Sequence, residues 1–295
     1  MVDMQIKEKS YKVAGHVFSL KMDEGEKLWN VLDNYSPFEC EVIPDPVFTL
    51  ELVEKVETGD KKELYVSNPD VYEQRIDIYN IEDGYLFEMA PFGDVPVCGW
   101  MRVDPDFTHG SLMVEKDKRF CVNNALMLLY AFRTADLDTL EMHASVTVKD
   151  GKGFLFLGKS GTGKSTHSRL WLKNIPGTHL LNDDNPIVRV VDGQARVYGS
   201  PWSGKTPCYR NEDYPVGAFV RINRAPYDAI HRMSVPEAFA SVYSSSSGLR
   251  AIKRIGSGLY STLSTVVQLV PCYVLDCLPD DEAAIVCSKE VLGNA

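Results

Sequence analysis

The sequence predicts a mixed α/β fold, an α+β arrangement in which a β-rich N-terminal domain precedes a domain of interleaved strands and helices. Alternating apolar and polar residues recur in the N-terminal third, which is typical of half-buried strands. The first long helical spacing of apolar residues spans 119–136, and beyond Met142 short apolar runs alternate with helical segments, as in α/β domains. We therefore predict a β-rich domain over residues 1–118, a linking helix over 119–140 and an α/β domain over 141–295.

The pattern of the N-terminal domain predicts an antiparallel meander with one solvated face. An Asp83-Gly84 pair favours a two-residue hairpin turn between its last two strands. No arrangement of catalytic side chains is evident in this domain, so its role stays unassigned. The predicted strands cover residues 11–20, 47–53, 75–81 and 85–89.

The most informative stretch of the chain is a glycine-rich run between an apolar segment and a helical one. It fits the pattern G-x-x-x-x-G-K-[ST] at every fixed position, which is the signature of a phosphate-binding loop, or Walker A motif. Residues 154–157 predict a buried strand before it and residues 167–173 a helix after it; the N-terminus of a helix attracts phosphate. The residues predicted to bind the nucleotide are Gly158, Ser160, Gly161, Thr162, Gly163, Lys164, Ser165 and Thr166.

Further strands and helices surround the loop. A strand over 143–148 turns at Asp150-Gly151 into the strand that feeds the loop, and Pro176-Gly177 ends the helix after it. The run Ser244–Ser247 predicts a mobile loop. The remaining predictions are a strand over 179–184, a hairpin over 187–198, a loop over 201–205, a strand over 216–222, helices over 235–243 and 248–269, a strand over 273–275 and a helix over 280–292.

Two adjacent carboxylates, Asp183 and Asp184, end the strand that follows the loop helix. Phosphoryl transfer needs a metal ion opposite the phosphate loop and a group that orients or deprotonates the acceptor. We expect this strand to run parallel to the one feeding the loop, with its tip beside the loop. One carboxylate would bind Mg²⁺ together with the Ser165 hydroxyl, and the other would accept the proton, while Lys164 contacts the β- and γ-phosphates of ATP. The alternative is an Asp pair that only caps a turn before Pro186.

Two further residues are catalytic candidates. His143 opens the strand ahead of the loop and could hydrogen-bond one of the aspartates, although a histidine at a strand start is often structural. Lys205 lies in a loop shaped by proline and glycine and could stabilise transition-state charge; a solvated lysine is the alternative. Arg210, Arg221 and Arg224 are additional candidate cations.

The order of these motifs resembles a known family. Residues 142–145, the phosphate loop, residues 181–185 and residues 199–205 look like the C-terminal kinase domain of HPr kinase/phosphorylase and its relatives in the phosphoenolpyruvate carboxykinase superfamily. The resemblance covers about residues 140–290. It implies a phosphate-loop kinase core whose mixed sheet is strongly bent, unlike that of common P-loop proteins.

The same resemblance implies roles for individual residues. Lys164 would contact the phosphates, Ser165 the metal ion, and Asp183 and Asp184 would act as metal ligands and acid/base groups, with His143 as their partner. The chain lacks the Glu-Ile-Arg-Gly-like signature of true HPr kinases, and its N-terminal half differs from theirs. It looks most like HPr kinase-related bacterial proteins of uncertain substrate, so the acceptor stays open.

These observations predict an ATP- and Mg²⁺-dependent kinase that acts on a serine-like hydroxyl of a protein, a peptide or a small molecule such as free serine. Two alternatives stay open. A P-loop ATPase that drives motion or transport would need a later carboxylate, for which Asp276 is a candidate. A nucleotide-sensing module would keep the loop without turnover.

Composition argues against several other classes. The net charge is −10 at pH 7 and the basic residues do not cluster, so we expect no nucleic-acid partner. No apolar run is long enough for a membrane span, and the charged N-terminus predicts no secretory signal. Seven scattered cysteines without a C-x-x-C pair are expected to be reduced thiols. The expected location is the cytoplasm, and a homo-oligomer stays open.

Overall fold

The computed structural model describes residues 5–69, 73–204 and 206–293. It divides into two compact units, residues 1–133 and 134–295. Each unit contains a large mixed sheet with helices, which confirms the predicted α/β class. No helix in the described part of the chain is long and apolar enough to cross a bilayer.

A nine-stranded sheet dominates the first unit. Its strands are β1 (Ile6–Val13), β2 (His16–Asp23), β3 (Glu39–Cys40), β4 (Thr49–Leu52), β5 (Lys62–Tyr65), β6 (Arg75–Ile81), β7 (Gly84–Ala90), β8 (Gly99–Val103) and β9 (His109–Val114). The helical segments are two short 3-10 helices and α1, with bounds Lys27–Val31, Asp33–Phe38 and Lys118–Thr134. The strand order is β3-β1-β2-β4-β9-β8-β7-β6-β5.

The predicted antiparallel meander describes only part of this sheet. Strands β6 to β9 pair antiparallel in sequence order, but β4 pairs parallel with both β2 and β9. The strand predicted over 11–20 is two strands joined as a hairpin, because Ala14 and Gly15 both take positive φ, at 46° and 84°. A pair of positive φ values is the geometry of a tight hairpin turn.

The helix predicted as a link packs on the first sheet. The Tyr130 hydroxyl of α1 donates to the Val13 carbonyl at 3.0 Å. The helix ends at Thr134, earlier than expected, because Asp138 adopts a left-handed φ of 50° and the next strand begins at Thr139. Its buried side chains therefore contribute to the core of the first unit.

The second unit contains nine strands and four helices among its described residues. The strands are β10 (Thr139–Glu141), β11 (Ala144–Lys149), β12 (Lys152–Leu157), β13 (His179–Asp184), β14 (Ile187–Val191), β15 (Gln194–Tyr198), β16 (Asp213–Arg224), β17 (Ala229–Arg232) and β18 (Cys272–Cys277). The helices are α2 (Lys164–Asn174), α3 (Val235–Ser244), α4 (Lys253–Leu269) and α5 (Asp281–Gly293).

The sheet of the second unit has the order β10-β14-β15-β16-β12-β11-β13, and β18 pairs with β16 and β17. Strands β12, β16 and β18 run parallel; the remaining pairings are antiparallel. Strand β16 is long enough to pair with β15 near its start and with β12 and β18 further along. This mixed sheet therefore carries several strand ends to the same edge.

One register decides where the candidate residues lie. Strand β13 runs parallel to β12 as expected, but β11 lies between them and pairs antiparallel with both. The turn at Asp150 and Gly151 joins β11 to β12 as a hairpin, so β11 is the neighbour of β12 on this side. Ala144, at the start of β11, pairs with Leu157 on one side and Asp184 on the other. His143 therefore precedes a strand that begins between the phosphate loop and the aspartates.

A buried apolar layer fixes the loop strand and its helix. Phe154 and Phe156 of β12 pack against Trp171 of α2, with ring centroids 5.3 and 5.4 Å apart. All three side chains are fully buried, and aromatic side chains of this size contribute strongly to core stability. On the far side of the layer, α5 closes the core with Ala283 and Ala284. The phosphate loop is thus anchored at both ends by rigid elements.

Candidate active site

The predicted phosphate loop forms an uncapped helix N-terminus. It follows β12 and leads into α2, whose N-cap residue is Gly163, with a φ of 115° and no side-chain cap. A Cβ on Gly161 or Gly163 would meet no heavy atom within 4 Å, so the space over the loop is open. Since the first N–H groups of a helix have no intrahelical acceptor, this cradle fits a phosphate group.

Internal hydrogen bonds shape the loop. Thr162 donates through its N–H and its hydroxyl to the Lys159 carbonyl, at 3.2 and 2.8 Å. Gly158 has a φ of 153°, and a Cβ there would lie 2.5 Å from Thr162 Oγ1, so the turn needs glycine at this position. Arg224, at the end of β16, donates to the Gly161 carbonyl. The remaining predicted loop residues, Ser160, Ser165 and Thr166, lie in the same turn and the first turn of α2.

A cavity of 430 Å³ adjoins the loop. The loop backbone and Arg224 form one side of it, and apolar side chains, among them Leu170, Ile222 and Leu278, form the other. This volume falls in the range of small-molecule sites. A phosphate chain on the loop could therefore continue into a mostly apolar space suited to the nucleoside part of a nucleotide.

Lys164, His143 and Asp184 form a continuous chain of polar contacts. Lys164 Nζ lies 2.7 Å from His143 Nε2 and donates to the Gly158 carbonyl at 3.1 Å. His143 Nδ1 lies 3.1 Å from Asp184 Oδ1. An ammonium can only donate, so the partners assign Nε2 as the acceptor and Nδ1 as the protonated nitrogen. The structure thus brings three of the predicted site residues together.

Both aspartates act on the lysine. Burial lowers the pKa of Lys164 below its ordinary value, and the charges of Asp184 and Asp183 oppose that shift. Neighbouring residues of a strand ordinarily face opposite sides. Asp184, however, has a φ of 149°, which non-glycine residues rarely adopt and which interrupts the alternation at the strand end. Strained backbone of this kind concentrates at functional sites.

Asp183 is a buried carboxylate that contacts no cation among the residues that the structure describes. It is 4% exposed, and its carboxylate makes no hydrogen bond or ion pair with the residues that the structure describes. Leaving a buried charge uncompensated is costly, so such groups ordinarily pair with a cation or bind a metal ion. The Ser165 hydroxyl and the two carboxylates offer the oxygen ligands that Mg²⁺ prefers.

The loop after β15 is tied to the aspartate strand. Asn182 Nδ2 donates to Ser200 Oγ at 3.2 Å and to the Trp202 carbonyl at 3.0 Å, and the Gly204 N–H donates to the Asp183 carbonyl at 2.6 Å. This segment therefore borders the site. Lys205, predicted to act on transition-state charge, lies outside the described residues.

Glu141 is a carboxyl group that the sequence interpretation missed. It is fully buried, and its Oε1 has no hydrogen-bond partner in the part of the chain described. Burial raises the pKa of Glu141 to about 8, with the Asp184 charge adding to the rise and a hydrogen bond from Ser247 opposing it. Glu141 is thus protonated at neutral pH and adds no third charge beside the aspartates. A single glutamate in an apolar segment gives no sequence signal for this.

The run predicted as a mobile loop, Ser244–Ser247, is built into the fold. The His143 N–H donates to the Ser245 carbonyl at 2.7 Å, and the Ser247 N–H donates to the Glu141 carbonyl at 2.9 Å. Arg250 donates to the Ser246 carbonyl at 2.9 Å. These backbone bonds join the segment to the edge of the strand that leads into His143, so it is not a free loop.

Asp276, the carboxylate of the ATPase alternative, lies apart from this chain of contacts. It belongs to β18, with β16 between it and β12, and its Oδ1 accepts a hydrogen bond from Asn223 at 3.2 Å. The charges acting on Lys164 are those of the two aspartates of β13. Within the described ranges, no three His, Cys, Asp or Glu side chains are grouped to hold a metal by themselves.

Comparisons with known proteins give no family. No protein-family model matches the chain, and no curated protein matches it significantly. Among solved structures, it is similar to the Hpr(Ser) kinase/phosphatase from Coxiella burnetii, with 13% identity and a TM-score of 0.31, over 52% of this chain and 94% of that one. A likeness at this level assigns no function, so the geometry of the site has to carry the assignment.

Proposed function

We propose that the chain is a phosphate-loop kinase of the HPr kinase-like type, which transfers the γ-phosphoryl group of ATP to a serine-like hydroxyl with Mg²⁺. The observation that carries the proposal is the contact chain from Lys164 through His143 to Asp184 at the head of an uncapped helix. A cation for phosphate and a carboxylate for the acceptor are parts that positioned phosphoryl transfer requires, and the histidine lies in contact with both.

The triphosphate would lie on the loop. The N–H groups of the first turn of α2 face its oxygens, and the open space over Gly161 and Gly163 lets them approach. Lys164 is 8% exposed, so its ammonium acts with little competition from water and its charge is correspondingly effective. The apolar cavity beside Arg224 takes the nucleoside end.

The metal site would use oxygen ligands. The buried Asp183 carboxylate forms no ion pair among the described residues, which fits a metal ligand better than a base exposed to the acceptor. The Ser165 hydroxyl, in the first turn of α2, would supply a second ligand. Bound Mg²⁺ would neutralise the charge of the phosphate oxygens.

Asp184 would orient and deprotonate the acceptor. Its side chain is 36% exposed, so an incoming hydroxyl can reach it, and His143 holds one of its oxygens. The acceptor oxygen bonds to the γ-phosphorus, the bond to the bridging oxygen of ADP breaks, and the hydroxyl proton passes to Asp184. His143 would steady the carboxylate through its Nδ1–H, which lies 3.1 Å from Asp184 Oδ1.

The experiment compares variants in ATP binding and in transfer from γ-labelled ATP to free serine, short peptides and cell lysate. We expect Lys164→Ala to abolish ATP binding. Asp184→Asn should keep ATP affinity and lose transfer by about 10²-fold or more. Asp276→Asn is the matched control and should retain both.

Three outcomes would contradict the proposal. Unchanged ATP affinity in Lys164→Ala would remove the phosphate site. Transfer or hydrolysis that depends on Asp276 instead of Asp184 would favour the ATPase alternative. ATP binding by the wild type without transfer to any acceptor would favour the nucleotide-sensing module.

A further inference from the structure

Arg221 is a half-buried cation whose partners are all neutral. Its Nε donates to Ser241 Oγ at 2.7 Å, and its Nη2 donates to the Ser241 carbonyl at 2.8 Å and to Ser244 Oγ at 2.6 Å. No carboxylate pairs with it, and its Nη1 makes no hydrogen bond, within the residues the structure describes. The N–H groups of Nη1 are therefore available to a ligand.

The charge of this arginine is only partly compensated. Burial lowers the pKa of Arg221 below its ordinary value, and no nearby acidic group opposes the shift. The carbonyl of Ser241, in the last turn of α3, supplies the partial negative charge of a helix C-terminus. A full negative charge at Nη1 would compensate the guanidinium better, because a hydrogen bond between a guanidinium N–H and an ionised oxygen is stronger than one to a neutral acceptor.

A cavity of 330 Å³ opens at this arginine. Arg221, Ser241 and Ser244 supply its polar lining, while Met233 and Val274 make it apolar elsewhere. Glu237 also lines it, but its carboxylate accepts from the Ser234 N–H and hydroxyl as part of a helix cap. The Ser244 hydroxyl donates its proton to the Ser241 carbonyl at 2.9 Å, so it positions Arg221 and has no proton left for a ligand. The cavity thus combines Arg221 Nη1 and the Ser241 O–H with room for a small molecule.

The cavity is connected to the proposed active site. Arg221 pairs in register with Leu157, the last residue of the strand that feeds the phosphate loop. Its Nη2 also lies 3.4 Å from Ser245 Oγ, and the Ser245 carbonyl accepts from the His143 N–H at 2.7 Å. The segment that forms one wall of the cavity is therefore hydrogen-bonded to the residue that orients Asp184.

We propose that Arg221 and the Ser241 hydroxyl, with Ser244 positioning the guanidinium, form an oxyanion subsite that holds a carboxylate or phosphate group of the phosphoryl acceptor. The inference rests on the proposed kinase function, because it takes the bound anion to be part of the phosphoryl acceptor. The acceptor would then be a compound that carries both a hydroxyl and an oxyanion. A neutral alcohol would leave Arg221 Nη1 without an anionic partner.

The test measures anion binding with the phosphate loop occupied by a non-hydrolysable ATP analogue and Mg²⁺, so that the loop does not bind the probe. Acetate and inorganic phosphate are titrated separately against protein labelled with ¹⁵N-arginine, and the Nε–H signals are followed by NMR. The Arg221 signal is assigned by its loss in Arg221→Lys. We expect a saturable shift of that signal, and the tighter probe identifies the anion as a carboxylate or a phosphate.

Variants make the result specific. Arg221→Gln should weaken binding of the tighter probe by about 10-fold to 100-fold, the effect of losing a hydrogen bond to a charged group. Arg221→Lys keeps the positive charge, so its affinity for the tighter probe should fall less than that of Arg221→Gln. This difference shows that the weaker binding comes from the lost ligand contact and not from unfolding. Arg196→Gln, at an exposed ion pair with Asp213, is the control and should bind as the wild type does.

The result that overturns the subsite is an Arg221 signal that neither probe moves, or equal probe affinity in wild type and Arg221→Gln. Failure of the ATP analogue to bind the wild type would instead contradict the kinase proposal. The Arg221 signal can still be titrated with acetate in that case, so the two failures are distinguishable.

Discussion

His143 Nε2 lies 2.7 Å from the ammonium of Lys164, while its Nδ1 lies 3.1 Å from the Asp184 carboxylate. The imidazole thus lies between the lysine that we propose for phosphate binding and the carboxylate that we propose for the acceptor. The position follows from one antiparallel strand, β11, between β12 and β13. In a sheet where β13 paired directly with β12, no residue would come between the loop lysine and the aspartates.

Removing His143 should lower phosphoryl transfer without a matching change in ATP affinity. We expect His143→Ala to lower phosphoryl transfer by about 10²-fold, because Asp184 loses the group that orients it. ATP affinity should change little, since the loop and Lys164 stay in place. Transfer from γ-labelled ATP and nucleotide titration measure the two quantities. His231→Ala, an exposed residue of β17, is the control, and an equal loss in both variants would contradict an orienting role.

The two aspartates should differ in their dependence on metal. In Asp183→Asn, Mg²⁺ should no longer raise the affinity for ATP, because the buried carboxylate is the proposed metal ligand. Asp184→Asn should retain most of this Mg²⁺ effect. Nucleotide affinity measured across a Mg²⁺ titration separates the variants. If Asp184→Asn loses the Mg²⁺ effect and Asp183→Asn keeps it, the two proposed roles are exchanged.

The local parts of the site were predictable from the sequence. The predicted phosphate loop is a contiguous motif whose glycines, lysine and serine lie close together in the chain, so residues 158–165 are enough to predict it. The hairpin at Asp150 and Gly151 was equally local, since two residues with positive φ fix it. Aspartates at a strand end and a histidine at a strand start could be proposed as partners because strand ends gather at sheet edges.

The non-local parts were not predictable. Nothing in the residues of β13 states that it pairs with β11, which lies between it and the strand that feeds the loop. Glu141 belongs to no sequence motif, and the rise in its pKa comes from its burial and from the charge of Asp184. The serine run over 244–247 has the composition of a flexible segment, yet Arg221 and Arg250 fasten it. Such effects depend on contacts between residues far apart in the chain.

A close helix approach predicts a sensitive glycine. A Cβ on Gly258 of α4 would lie 2.4 Å from the Ala135 carbonyl oxygen and 2.6 Å from Asp136 Cα. Both atoms belong to the backbone, so they cannot move aside cheaply. We expect Gly258→Ala to destabilise the second unit by about 2 kcal/mol, measured by hydrogen exchange of its sheet amides. Gly293→Ala, where a Cβ meets nothing within 4 Å, is the control; equal stability in both variants would contradict the packing argument.

The buried His167 should make stability depend on pH. Burial lowers the pKa of His167 to about 4, and its Nε2 accepts a hydrogen bond from Trp171 Nε1 at 3.1 Å, which protonation of that nitrogen would break. Between pH 4 and 6.5 the unfolded chain therefore binds more protons at this residue than the native one, so stability falls as the pH falls.

The comparison is between wild type and His167→Gln, which keeps an acceptor for Trp171 but does not titrate. Lowering the pH from 7 to 4.5 should cost the wild type about 2 kcal/mol more than the variant, from the difference between the two pKa values. Hydrogen exchange of the β12 and α2 amides, corrected for intrinsic rates, reports the second unit by itself. Parallel losses in the two proteins would mean that His167 titrates alike in the folded and unfolded states, and that its burial in the core has no electrostatic cost.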